Sequence, residues 1–477
     1  MRTLARAAAL LAVVLPAAPV AAQAPNPARG AVVERVVSAS DAGQSYALYL
    51  PTRAAPGERR PLLVLMDPRG QATVPMERFR AAAERNGWIV ASSWNTISET
   101  DSALAANDRA VAAIVADALD RYGADSTRIY FAGFSGTARY AWALPHRLGR
   151  GSVAGIIGVG AGLPQAPEVW LPQVRQLRPF PFWSAAGSTD YNLDEMARLD
   201  TLLRSTALPH RFTGFEGGHE WLPAELAGRA VEWLQLQTMA LGTAPRDAAW
   251  LDATYTTGLE HAAALERGGR AYEAWAEYHG LVGDFLGLRD VSAAQRRASA
   301  LSMEPEVRRE RERRAADALA FDQFRAVLAT LLIDLRTSLA GVAQRRLVGE
   351  LALPRLHRQE ADSAANPGAA RMATRMLNTA FAQASYEGDA YLRTRRWRHA
   401  AAALRVAHSA RPDGPGVCWP LARALAQAKN HDDAFEALGC AVERRAATRA
   451  QVEGEPMLAP LRADPRFAAL LSRAASE

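Results

Sequence analysis

The sequence predicts two fold classes in succession: an α/β unit with a mostly parallel sheet and helices on both faces, then an all-α region. Three observations carry this reading. Short continuous apolar runs alternate with amphipathic stretches between about Ala31 and Gln237. After about Leu241 those runs stop, and Ala, Leu, Arg and Glu dominate to the end. Within that second half a set of residues recurs at a spacing of 34, the mark of a helical repeat. A length of 477 residues accommodates two or three domains.

Ala31 to Ser38 and Gln44 to Leu50 alternate like an opening antiparallel pair. Arg60 to Met66, Gly87 to Ser93, Arg128 to Ala132, Val153 to Val159 and Phe180 to Ala186 are mostly continuous apolar runs. Strands of a parallel sheet covered on both faces have this composition. Helices are predicted over Leu104 to Tyr122, Ala138 to Pro145, Asn192 to Ser205 and Leu222 to Gln237.

The first segment points to export. Met1 to Arg6 carries two arginines, and Ala7 to Ala22 is apolar but interrupted by Pro16 and Pro19. These 16 residues fall short of the roughly 20 that cross a bilayer. Val20-Ala21-Ala22 offers small residues for cleavage after Ala22, so residues 1–22 are expected to be a signal peptide, 23–30 a linker, and the mature protein periplasmic or secreted without a membrane anchor. A short buried N-terminal helix is the alternative. The net charge of +6 does not indicate nucleic acid, because 56 basic residues, Lys429 the single lysine among them, are spread among 50 carboxylates.

Chemistry concentrates in the first half, assigned to residues 31–242. Arg128 to Thr137 (RIYFAGFSGT) runs from an apolar strand into a turn with Ser135 at its tip and a helix beyond. That is the pattern of a nucleophile elbow, in which the Gly136 amide and the helix N-terminus face the oxygen of an attacked carbonyl. Thr137 stands where the pattern has glycine. A serine hydrolase of this kind needs an acid and then a histidine after later strands. Asp190 follows the 180–186 run and His219 closes Phe212 to His219 (FTGFEGGH). All three lie where a parallel strand ends, the edge at which open α/β sheets hold their sites. Asp194 is a rival for the acid, and each of the three could instead be an ordinary turn or cap residue.

On these motifs residues 31–237 resemble the α/β-hydrolase family, nearest its dienelactone hydrolase, feruloyl esterase and polyhydroxybutyrate depolymerase-like branch. The resemblance implies Ser135 as nucleophile, His219 as general base and then acid, and Asp190 as the orienting carboxylate. It also implies a second oxyanion donor from Asp67-Pro68-Arg69-Gly70-Gln71. Pro68 has no N–H, which leaves Arg69, the preferred choice, or Gly70. Trp94, Asn95, Tyr191 and Trp221 are candidates for pocket walls or for plain packing and cap groups. The histidines show no metal-ligand spacing, so neither metal nor cofactor is expected.

In the second half, assigned to residues 243–477, Ala400, Leu404 and Ala407 recur as Ala434, Leu438 and Ala441. With Gly388, Tyr391 and Pro412 this resembles the tetratricopeptide pattern over Phe381 to Arg445, although Ala384, Glu387 and Ala422 stand where tryptophan, leucine and glycine are usual. An alanine-rich bundle without true repeats is the alternative. Gly269 to Tyr278 reads as another helix, while Ser302 to Ala370 has no register. A hairpin turn near Lys429 and Asn430 sets Cys418 and Cys440 at similar height, either as a disulfide or as two buried thiols. The expected activity is cleavage of small or oligomeric carboxylic esters by an exported serine hydrolase. A peptidase or amidase of the same fold, and an inactive hydrolase-like domain that docks proteins, are the alternatives. The helical region would dock a protein partner or cap the site.

Overall fold

A computed structural model describes residues 27–53, 57–98, 101–149, 151–162, 167–337, 348–414 and 416–474. The expected signal peptide and residues 23–26 of the linker lie outside the described residues.

Eight strands form one sheet: β1 (Val32–Val37), β2 (Ser45–Tyr49), β3 (Arg60–Met66), β4 (Ile89–Ser93), β5 (Ala124–Phe134), β6 (Gly155–Val159), β7 (Phe182–Gly187) and β8 (His210–Phe215). Their order is β1-β2-β4-β3-β5-β6-β7-β8. β2 pairs antiparallel with both β1 and β4, and every later pairing is parallel. This is the α/β-hydrolase fold expected from the sequence. Alternation along β3 supplies both cores: Leu62, Val64 and Met66 pack on one face, Leu63 and Leu65 on the other. Helices α1 (Thr73–Asn86) and α7 (Ala224–Ala240) cover the second face, through Phe79 and Leu226 among others. Helices α2 (Asp101–Arg121) and α6 (Leu193–Leu203) cover the first, through Val111, Ile114 and Leu199. Between them in the chain lie α3 (Gly136–Ala141), α4 (Leu144–Arg147) and α5 (Pro167–Val174).

Several boundaries differ from expectation for local reasons. β5 starts at Ala124, four residues early, because Arg128 Nη2 donates to Arg59 O and ties this stretch to the start of β3. β7 starts at Phe182 because Pro179 and Pro181 cannot donate to a ladder. The predicted helix over 138–145 splits into α3 and α4, with Trp142 between them buried against Phe180 and Phe182.

The second half is largely helical over its described residues. It comprises α8 (Ala248–Arg267), α9 (Ala271–Phe285), α10 (Ser292–Ser302), α11 (Pro305–Thr337), α12 (Leu353–Ala361), α13 (Pro367–Arg393), α14 (Trp397–Ala410), α15 (Cys418–Gln427), α16 (His431–Glu443), α17 (Arg449–Gly454) and α18 (Pro465–Arg473), with a 3₁₀ turn at Pro456–Leu461. The stretch without register contains the 33-residue α11. Three-residue connections join α13 to α14 and α15 to α16, which makes each pair an antiparallel hairpin. All six residues of the 34-residue recurrence are buried in one core. Lys429 takes a positive φ of 63° at the second hairpin turn, and Cys418 and Cys440 are bonded across that hairpin.

The halves meet through half-buried charge. Arg211 of β8 pairs with Asp284 and Glu277 of α9, Arg229 of α7 donates to Glu277, and Trp233 Nε1 donates to Asp284 at 2.7 Å. Burial pushes Glu277 up, but Arg229 and Arg211 outweigh it and hold that carboxyl below its ordinary value.

The disulfide closes a separation of 22 residues, for which chain entropy gives about 3 kcal/mol. Replacing both cysteines by serine is expected to lower the stability of the helical half by that order. Urea unfolding followed by far-UV circular dichroism, with and without reductant on the native chain, measures it.

Candidate active site

The parallel register brings Met66, Phe134, Val159 and Gly187 to one edge of the sheet, because Met66 pairs with Gly133, Phe134 with Val159 and Gly187 with Phe215. The chain leaves β5 at Ser135, whose backbone sits at φ 54°, ψ −126°. A non-glycine residue in that region costs on the order of 1–3 kcal/mol and persists only where its surroundings over-determine it. Here Ser135 N donates to Val159 O at 2.8 Å, and Ser135 O accepts from Ala138 N and Arg139 N as α3 begins. Gly133 is required by close approach, since a Cβ there would lie 2.4 Å from Thr137 O.

Thr137 does more than replace a glycine. Fully buried, its Oγ1 accepts from Phe134 N at 3.1 Å and lies 2.5 Å from Met66 O and 2.8 Å from Phe134 O as its acceptors. The side chain therefore ties the turn to the end of β3.

His219 lies in the loop after β8, and Asp190 in the loop after β7. His219 Nε2 is 2.9 Å from Ser135 Oγ, and its Nδ1 is 3.0 Å from both carboxylate oxygens of Asp190. Asp190 is fully buried and also accepts from Asn192 N at 2.8 Å. With its proton on Nδ1, the imidazole donates to Asp190 and accepts from the serine hydroxyl, an arrangement able to pass the serine proton to nitrogen. The ring lies between Phe134 at 4.6 Å and Tyr191 at 4.4 Å. Gly160, at φ +63°, is a component that sequence reasoning missed: a Cβ there would stand 3.0 Å from Asp190 Oδ2 and 3.1 Å from His219. Its only sequence signal is a glycine ending an apolar run. The rival Asp194 is elsewhere: its Oδ2 lies 2.9 Å from Arg375 Nε, an ion pair off the axis of a linear hydrogen bond. Burial pushes the Asp194 carboxyl up against the pull of Arg375.

The oxyanion expectation needs correction at Arg69. Its amide donates to Asp67 Oδ1 at 2.8 Å, and Gln71 N reaches the same oxygen at 3.2 Å. Gly70 N is turned to Asp67 O at 3.2 Å. Asp67 is fully buried, with Oδ2 held by Trp221 Nε1 at 2.8 Å, and a carboxylate removed from water takes the donors within reach. The signal was present in the sequence, since an aspartate commonly captures the amide two residues on. The Gly136 amide, at the first position of α3, has no acceptor within its helix.

Of the four pocket candidates, only Tyr191 meets the triad residues. Trp94 Nε1 donates to Glu34 O, Asn95 Oδ1 accepts from Ser45 N, and Trp221 belongs to the Asp67 contact. Burial, with Tyr386 beside it, pushes the Tyr191 hydroxyl well above the ordinary phenol range. Among the described residues no group of His, Cys, Asp and Glu could hold a metal, and no helix is long and apolar enough to cross a membrane.

No family model and no curated protein matches the chain. Solved structures similar to it include an esterase of Pyrobaculum calidifontis, at 15% identity and TM-score 0.35, covering 46% of this chain and 88% of that one. An S-formylglutathione hydrolase of Staphylococcus aureus is similar at 13% identity and TM-score 0.35, covering 44% and 98%. A ferulic acid esterase is similar at 15% identity and TM-score 0.33, covering 43% and 97%.

Thr137→Val keeps the shape and removes the hydroxyl, leaving Phe134 N without its acceptor and Met66 O without its donor. A loss of about 1–3 kcal/mol is expected, with Thr137→Ser close to wild type; denaturant unfolding of the three proteins decides it.

Proposed function

We propose that the chain is an exported serine hydrolase that cleaves carboxylic esters. The observation that supports this reading is the continuous chain Ser135 Oγ, His219 Nε2, His219 Nδ1 and Asp190, built on a positive-φ turn at the C-terminal edge of the sheet. In this reading His219 takes the hydroxyl proton as Ser135 Oγ bonds to the ester carbonyl carbon. The tetrahedral oxyanion receives the Gly136 amide. Collapse of that intermediate expels the alcohol, which takes the proton from His219 and leaves an acyl-enzyme. Water, deprotonated by the same imidazole, then releases the acid. Asp190 keeps the proton on Nδ1 and stabilises the imidazolium. Arg69 can supply a second oxyanion donor only after leaving Asp67 Oδ1, so the resting site offers the Gly136 amide first.

The similar solved structures carry esterase and hydrolase names, in keeping with this reading. Export agrees with the leader-like first 22 residues and with a disulfide, which persists in oxidising compartments. The two helical hairpins with their 34-residue recurrence agree with a tetratricopeptide-like region over Phe381 to Arg445.

A fluorophosphonate probe is expected to label the wild-type chain at Ser135 and to leave Ser135→Ala unlabelled, as read by mass spectrometry of the modified peptide. Absence of labelling on the folded wild type defeats the reading. Short p-nitrophenyl esters are expected to turn over at least about a hundredfold faster than the matching anilides, given the poorer leaving group; steady-state kcat/KM on both sets the preference.

A further inference from the structure

The loop that carries Asp190 is held from two sides. On the sheet side, Ser188 N donates to Phe215 O at 2.7 Å, and Thr189 N and Thr189 Oγ1 donate to Gly217 O at 3.0 and 2.9 Å. The carbonyls of the same residues face the helical half. Thr189 O accepts from Asn378 Nδ2 at 2.8 Å, and Ser188 O receives a longer contact of 3.5 Å from Arg375 Nη1. Asn378 and Arg375 lie three residues apart on α13, and Tyr386, two further turns along, meets Tyr191 at 3.3 Å between hydroxyls. Tyr191 is the ring against His219.

Asn378 has a fixed orientation. Its Oδ1 accepts from Arg411 Nε at 2.8 Å, and Arg411 is itself held by Glu360 at 2.8 Å and by Thr374 O at 2.9 Å. The amide can therefore present only its nitrogen to Thr189. Arg375 is equally committed. Only 8% exposed, it packs over Phe321 at 4.9 Å and pairs with Asp194 in the first turn of α6, just beyond the acid loop. A buried cation with one carboxylate partner stays where that partner is.

The geometry points to Asn378, backed by Arg411, as a positioning residue that sets Asp190 through the Thr189 carbonyl, so that the helical half is part of the active-site scaffold and not only an appended docking surface. The inference rests on the triad reading above. A displacement of about 1 Å at a reacting group costs up to a hundredfold, and Asp190 is one residue from the bonded carbonyl.

Asn378→Asp tests it on the full chain. The carboxylate keeps and strengthens the pair with Arg411, while an oxygen now meets the Thr189 carbonyl, so folding is retained and only the contact to the loop is lost. We expect kcat on a p-nitrophenyl ester to fall about tenfold or more, KM to change less than twofold, and fluorophosphonate labelling of Ser135 to slow in parallel. Asn378→Leu, which carries no charge, is expected to give the same kcat loss and to move the acidic limb of the kcat/KM profile to lower pH, because a loosened carboxylate stabilises the imidazolium less. Asn378→Gln, which retains a donor, is expected to recover part of the rate. Wild-type kcat in a folded Asn378→Asp protein overturns the inference, as does a lower melting temperature with unchanged kcat and pH profile. A wild-type chain that neither labels nor hydrolyses esters instead overturns the underlying esterase reading and the inference with it.

Discussion

The constraint on which the site depends is the positive-φ turn at Ser135. Left alone, a serine would leave φ 54° for a favoured region, and the 2.9 Å approach of its hydroxyl to His219 would be lost with it. Three independent contacts forbid that relaxation. Ser135 N is bonded to β6, Thr137 Oγ1 to the end of β3, and Gly133 lets α3 close onto β5 without a side chain between them. Each contact depends on neighbouring strands ending at the same level, which the parallel register provides. The strain is local, while its support is spread over the central strands of the sheet.

How much of this was legible depended on whether the determining residues were close in sequence. Strand runs such as Arg60 to Met66 could be read because both faces of a central strand are buried, and the run is then continuous. Ser135, Asp190 and His219 could be singled out because each follows such a run, and the fold brings those three side chains within hydrogen-bond distance. The Arg69 expectation failed on a competition that periodicity cannot express: Asp67 is buried and takes the amide for itself. Choosing between Asp190 and Asp194 turned on Arg375, which stands 181 positions beyond Asp194 and cannot be connected to it without the fold. The end of the predicted 138–145 helix failed for a similar reason, since Trp142 is drawn toward Phe182 of a later strand and Phe180 just before it.

Charge is used differently at the two contacts between the halves. Around α9, Arg211 and Arg229 face Glu277 and Asp284, and the network sits on β8 and α7, away from the strand ends that carry the reacting groups. Such a cluster fixes orientation more than it adds stability, because desolvation consumes much of the attraction. Around α13 the partners are backbone carbonyls of the acid loop, with one ion pair behind them. Carbonyl acceptors do not titrate, so the two contacts to the acid loop keep their acceptors at any pH.

A loop after a parallel strand has its amides taken by the next strand and its carbonyls directed outward, where water ordinarily satisfies them. In this chain the loop between β7 and α6 has exchanged water for Asn378 and Arg375. Water exchanges between hydration sites and allows the loop many positions; two side chains fixed by Arg411, Glu360, Phe321 and Asp194 allow it one. The free energy of ordering the loop is then met by folding of the helical half rather than at each encounter with substrate, which is what preorganisation of a carboxylate beside an imidazole requires.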